Sequence, residues 1–353
     1  MALDIYSTEA LIGAYGVMDQ PKRFLLELFF PVTQQFETEK VAFDKVERAL
    51  RLAPFVSPMV AGKAMRVQGY QTKDFAPAYV KPKHVVDPNR PLKRLAGERL
   101  LGSLSPEERY NRVITELLAE QDKEIARSEE WIASQIMLNG SVVIAGEDCP
   151  SVLLDFGRPS DQTLVLTGQS TAWDQTNSNP LDQLRSWNSL IAERSGYNAN
   201  VVIFAPKAAS LFTKDPAVKE ILNSRVNTPV GSDFALGNLN LAGVLTGAVG
   251  DEVKYMGRIG EFECFVYQQI YKLPDGTVKR FLPDYTAILA SPSGVQGTRL
   301  YGAIRDAEAG FKALERFPTM WRERDPSLTY LMTQSAPLPV LGWPEASMAV
   351  TVK

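Results

Sequence analysis

The chain has 353 residues and is 45% hydrophobic and 22% charged, enough apolar material for a sizeable core, which excludes wholesale disorder. Its 38 basic and 41 acidic side chains leave a net charge of −3, so no global field gathers phosphates by counterion release and any nucleic-acid contact must be local. Cys149 and Cys264 are too few for a disulfide framework and too far apart for a zinc knuckle, as a reducing cytosol would allow.

The N-terminus MALDIYSTEALIGAY lacks a charged n-region followed by an apolar core, and no run approaches the roughly 20 apolar residues of a membrane span. A soluble intracellular product is expected. Up to about residue 45 the pattern is short and broken. Within it RFLLELFFP sets six apolar residues in nine positions before Pro31, which predicts a brief helix or anchor that must bury itself. Pro54, Pro58, Pro77, Pro82, Pro88 and Pro91 follow, each removing a backbone donor and biasing its predecessor toward extended conformations. The stretch YVKPKHVVDPNRPLKR, residues 79–94, therefore reads as an extended strap with a reach of about 50 Å, more than a loop that closes its own domain requires.

The most legible element comes next. Ser105, Pro106 and Glu108 form an S-x-x-E capping box with proline at the first helical position, and Asn139-Gly140 supplies the stop. Between them Tyr110, Val113, Ile114, Leu117, Leu118, Ile125, Ile132 and Ile136 make one apolar stripe, predicting a helix roughly 50 Å long. SVVIA and SVLLDF read as a hairpin, and 169–179 as a polar linker. Pro180 opens a helix that stops at Gly196, and a new α+β unit begins here with the short buried strand VVIF and the helical stretches AASLF and DPAVKEIL. Residues 225–250 read as loops. EFECFVYQQIY, a turn at Pro274-Asp275-Gly276, TVKRF, YTAILA, LTYLMTQS and SMAVTV read as strands.

Chemistry is scarce. His84 is the single histidine, with no cysteine or carboxylate cluster near it in sequence, and no phosphate-loop, dinucleotide, nucleophile-elbow or zinc-protease motif occurs. The pairs Glu129-Glu130 and Asp251-Glu252 are of the kind that solvated faces produce. No catalytic, cofactor-binding or metal-ligating residue is expected. In the strap, Lys81, Lys83, Arg90, Lys93 and Arg94 could neutralise phosphates, but only Tyr79 offers stacking and the prolines preclude a recognition helix. Docking on a neighbouring subunit, with Val85-Val86 as an apolar handhold, fits the strap better.

The segments FLLELFF, TEKV, FVSPMVAG, FAPAYVKPKHVV, FLPDYTAIL, TRLYGAIRDAEA, RFPTMW and DPSLTYLMTQSAPLPVL, in this order between about Arg23 and Leu341, closely resemble the lambda-like phage major capsid proteins, the capsid protein E family. The resemblance implies the α+β Hong Kong 97 fold. The implied parts are an N-terminal arm (1–48), an extended E-loop (49–101), a peripheral domain (102–179) with a spine helix at 105–139, an axial domain (180–325), and a return to the peripheral domain (326–353). It further implies E-loop contacts to an adjacent subunit through Phe55, Val56, Met59, Tyr79, Lys81, Lys83, His84, Val85, Arg90 and Arg94, with Phe24, Leu25, Leu28, Phe29 and Phe30 anchoring the arm.

The implied assembly is a homo-oligomer of hexamers and pentamers that closes an icosahedral virion capsid, formed in the bacterial host cytoplasm. The implied partners are a separate scaffold, a portal, a decoration protein at three-fold positions on a platform of residues 1–101, and packaged double-stranded DNA held non-specifically inside; no membrane is involved. Procapsid expansion is expected. Certain relatives crosslink an E-loop lysine, and Lys63 and Lys73 lie in that region, where solvated or ion-paired lysines are expected. The competing readings are an encapsulin-like nanocompartment and a soluble hydrolase.

Overall fold

The computed structural model describes residues 7–18, 21–46, 53, 55–59, 61, 70–93, 98, 104–146, 149–176, 178–220, 253–273, 275–325 and 327–353. The N-terminal half carries α1 (Thr8–Val17), α2 (Phe24–Phe29), β1 (Val32–Gln35), β2 (Val41–Val46), β3 (Tyr70–Phe75), β4 (Lys83–Val86) and the long α3 (Pro106–Asn139). There follow β5 (Ser141–Gly146), β6 (Cys149–Asp155), β7 (Thr163–Val165), α4 (Pro180–Ser195), β8 (Val201–Phe204) and α5 (Pro206–Phe212). After these come β9 (Val253–Ile259), β10 (Phe262–Tyr267), β11 (Ile270–Lys272), β12 (Val278–Arg280), β13 (Thr286–Ala290) and β14 (Thr298–Tyr301). The chain closes with β15 (Phe317–Glu323), β16 (Leu328–Gln334), β17 (Pro337–Val340) and β18 (Ser347–Thr351).

Helix α3 has the termini its sequence dictates. The Ser105 hydroxyl accepts from the Glu108 amide at 3.2 Å, and the Glu108 carboxylate accepts from the Ser105 amide at 2.6 Å, so both donors are satisfied reciprocally. At the other end Gly140 sits at φ 68° and returns its N–H to Ile136 at 2.8 Å. The Arg158 guanidinium closes that end, donating to the carbonyls of Met137 at 2.9 Å and Ile136 at 3.1 Å. Burial pushes its pKa down to about 10, and the negative end of the helix dipole opposes that cost.

A Cβ at position 140 would meet Arg158 Cβ at 2.5 Å in a conformation that L side chains disfavour. Gly140→Ala should therefore destabilise the subunit by about 2–3 kcal/mol, read from the urea midpoint. A loss under about 0.5 kcal/mol would show that the helix end relaxes freely.

The central sheet runs β7-β18-β13-β8-β10-β9, with β7/β18 and β8/β10 parallel and the remaining pairs antiparallel. Both faces are covered. Val202, Phe204, Leu289 and Val350 point into a core with α4, α5 and Trp173, while Val201, Ile203, Ile288 and Phe265 point into a core with α2 and the C-terminal half of α3. Two-sided burial explains why VVIF is a continuous apolar run rather than an alternating one. The hairpin expected after α3 is present as β5-β6.

The expectation for 169–179 needs correction, and others fall outside the described residues. The stretch 169–179 is more than a linker, because Trp173 is buried against Trp187, Phe204 and Phe212 with its indole N–H donated to Gln183 Oε1 at 2.7 Å. Apolar area outweighs the polar residues flanking it. The boundary drawn at 325/326 divides β15 from β16, which are hydrogen-bonded neighbours, and β18 sits beside β13 in the central sheet, so the tail serves two sheets. The expected loops at 225–250, and Pro274 of the expected turn, lie outside the described residues.

Candidate assembly surfaces

The strap has a strand at its centre. β4 pairs antiparallel with β16, His84 opposite Leu331 and Val85 opposite Tyr330, in a sheet ordered β15-β16-β4, and Val80 bridges Ser335. Residues 79–86 are expected to contact an adjacent subunit, and within their own chain the pairing engages Val80, the Pro82 carbonyl and 83–86. Pro82 stands just outside the paired residues and β4 is an edge strand, the place where a proline-flanked strand is tolerated.

Pairing sorts the strap's side chains by face. His84 and Val86 turn toward α3, where Val86 joins Val113, Ile114, Leu117 and Leu331 in a small core. Lys83 and Val85 turn away from it. Lys83 Nζ lies 4.1 Å from the centroid of the Tyr330 ring and 5.1 Å from that of Trp321, and Val85 is half exposed. Tyr79 accepts from the Arg305 amide at 2.7 Å, Lys81 stands 4.6 Å from the centroid of the Tyr79 ring, and Arg90 lies 4.0 Å from Glu116. Arg94 is outside the described residues. Further up the loop, Phe55 is 99% exposed and Met59 93%, and Val56 is also exposed. Lys73 pairs with Asp155 at 3.2 Å, and Lys63 is outside the described residues.

The fold brings His84 to Glu120 and Glu124, neighbours that the local sequence around His84 did not reveal. Gln121 decides the chemistry of this group. Its Nε2 donates to Leu331 O at 2.8 Å and to His84 Nδ1 at 3.1 Å, so the neutral imidazole carries its proton on Nε2, facing Glu124 Oε1 at 3.7 Å. A cation would need that nitrogen unprotonated, with the proton on Nδ1. Gln121 ties α3 to β4 and β16 through His84 and the Leu331 carbonyl.

Residues Phe24, Leu25, Leu28, Phe29 and Phe30 are all buried, sealing α2 against α3 and the central sheet. Glu129 and Glu130, read as a solvated pair, are instead completely enclosed at this junction. Arg316 clasps Glu129 with two nitrogens at 2.7 and 3.2 Å and reaches Asp122 at 2.7 Å, while Arg23 meets Glu129 at 2.6 Å and the Tyr301 hydroxyl donates to it at 3.2 Å. Burial pushes the Glu129 carboxyl up, but Arg316 and Arg23 together pull harder and hold it below the usual carboxylate range. These partners lie 106 and 187 positions away, so no local pattern could have disclosed them. Among the described residues no arginine pairs with Glu130: its oxygens accept from the amides of Leu25 at 2.8 Å and Leu26 at 3.1 Å and from the Tyr267 hydroxyl at 2.7 Å.

A family model described as phage major capsid protein E matches residues 7–352. The chain is 32% identical over 352 residues to the major capsid protein of Escherichia phage lambda, and 31% identical over 355 residues to that of Enterobacteria phage phi80, with 99% of each partner covered in both cases. Among solved structures, it superposes with a TM-score of 0.77 on a prophage capsid protein from E. coli CFT073, at 24% identity and covering 98% of this chain and 99% of that one. The capsid of cyanophage P-SCSP1u gives a TM-score of 0.50 at 7% identity, covering 95% and 90% respectively, a likeness of fold.

Proposed function

The chain belongs to the phage major capsid protein E family, and from that membership we infer that it is the structural protein of a tailed-phage head, with the Hong Kong 97 fold, and part of the virion capsid. Full-length similarity to named capsid proteins carries this reading. Assembly is then the function, with modest contacts at several surfaces closed by symmetry into a shell.

The finer reading assigns roles to parts. Residues 49–101 are the loop that reaches a neighbouring copy, with contact concentrated at Phe55, Val56 and Met59 rather than along the strand at 83–86. What supports this is that Phe55 and Met59 are almost wholly exposed and Val56 about half exposed. α3 is the beam, fixed to the arm through α2. Copies group into hexamers and pentamers on a separate scaffold protein in the host cytoplasm, with a portal at one vertex, and the shell expands as double-stranded DNA is packed non-specifically against its inner surface. A decoration protein would dock over the arm and loop, residues 1–101.

Light scattering coupled to size exclusion tests the reading. Protein produced with its scaffold should elute as capsomers or shells. A strictly monomeric, compact species under the same conditions would overturn it.

A further inference from the structure

Glu130 sits where three parts of the subunit meet: α2 of the arm, the middle of α3, and β10 of the central sheet. Its carboxyl terminates α2 by accepting from the Leu25 and Leu26 amides, and it holds β10 through Tyr267. The surrounding charges leave it isolated. From α3 come Glu129 and Asp122, from α2 and its start Glu27 and Arg23, from β14 Tyr301, and ahead of β15 Arg316. Arg23 and Arg316 are already engaged by Glu129 and Asp122, so the two enclosed cations face two enclosed anions before Glu130 is counted, and the half-buried Glu27 adds a further negative charge beside it. An ionised Glu130 makes the enclosed junction net negative; a neutral one makes it balanced.

The donors to Glu130 favour its ionised form, yet the bonds around Tyr267 also accommodate the neutral one. The Tyr267 hydroxyl has one proton and touches two acceptors, Glu130 Oε1 and Gln269 Oε1. With Glu130 ionised, only one can be served. With Glu130 protonated, its O–H donates to Tyr267 and Tyr267 donates to Gln269, so the chain of donors is complete.

We propose that Glu130 is a proton-operated latch: neutral, it holds α2 against α3 and β10, and on losing its proton it favours release of α2. Burial raises its pKa from 4.5 to about 7, against the partial opposition of the Leu25 amide, Tyr267 and the Leu26 amide. The folded pKa lies above the unfolded one, so the folded state binds the extra proton. The stabilisation is complete below about pH 4.5 and is lost as pH rises through about 7.

Hydrogen exchange of the full chain at pH 5.5 and 8.5, corrected for intrinsic rates, reads the latch at residues 24–29. Protection there should fall on the order of tenfold at the higher pH in the wild type. Glu130→Gln, a fixed neutral side chain, should abolish that dependence and keep protection high. Tyr267→Phe keeps the carboxyl but removes a donor that favours its ionised form, and should move the midpoint of the dependence to higher pH. A flat wild-type profile, a Glu130→Gln profile with the wild-type slope, or a Tyr267→Phe midpoint that does not move would each overturn the latch.

Discussion

Methionine in place of Arg316 should cost the folded subunit about 3–5 kcal/mol, the largest single-site loss expected outside the apolar cores. The guanidinium makes its bonds to Asp122 and Glu129 where both carboxylates are almost wholly removed from water. Methionine fills much of the volume, so the loss measures stranded charge rather than a cavity. Glu129 retains Arg23 at 2.6 Å, but Asp122 loses its ion pair and the junction gains a net negative charge. Adding Asp122→Asn to Arg316→Met should recover part of the loss, because the second substitution removes the stranded anion; the two effects share partners and will not add. Urea midpoints of the two single variants and the double variant check this. If Arg316→Met costs less than about 1 kcal/mol, water reaches the cluster and the junction is looser than described.

The second large effect falls on assembly and leaves the subunit intact. Aspartate at both Phe55 and Met59 should change urea stability by less than about 0.5 kcal/mol, since both side chains already face solvent. Each apolar side chain buried at a contact contributes roughly 1.5–3 kcal/mol, so losing two weakens every copy-to-copy contact by about 3–6 kcal/mol. Such contacts recur throughout a closed shell. The variant should therefore remain as folded subunits or capsomers where the wild type forms particles, as sedimentation shows. Wild-type particle yields from the double variant would remove 55–59 from the interface.

What the sequence disclosed and what it withheld follow one physical distinction. α3 was legible to its last residue because its signals are local: Ser105, Pro106 and Glu108 within one turn, Gly140 at the other end, and an apolar stripe between them. VVIF and the β5-β6 hairpin were legible for the same reason. β4 was not, because its partner β16 lies about 240 positions later, and the prolines around it suggested a strap leaving its own subunit. Glu129 and Glu130 looked like an exposed pair because nothing within a few residues neutralises them; Arg23 and Arg316 do so for one, while amides and a tyrosine satisfy the other. Trp173 was hidden inside a polar run, and only the packing of α4 and α5 shows what it anchors. The exposed apolar tip at 55–59 stands out in the structure through contrast: an apolar cluster left uncovered in a chain that otherwise covers both faces of its main sheet.

Electron cryomicroscopy of particles assembled from the full chain with its scaffold tests the shell reading most directly. The expected result is a closed icosahedral lattice in which residues 55–59 of each copy rest on an adjacent copy, while 83–86 stay paired to β16 of their own. Particles that never close, or a lattice in which 55–59 face open solvent, would contradict it.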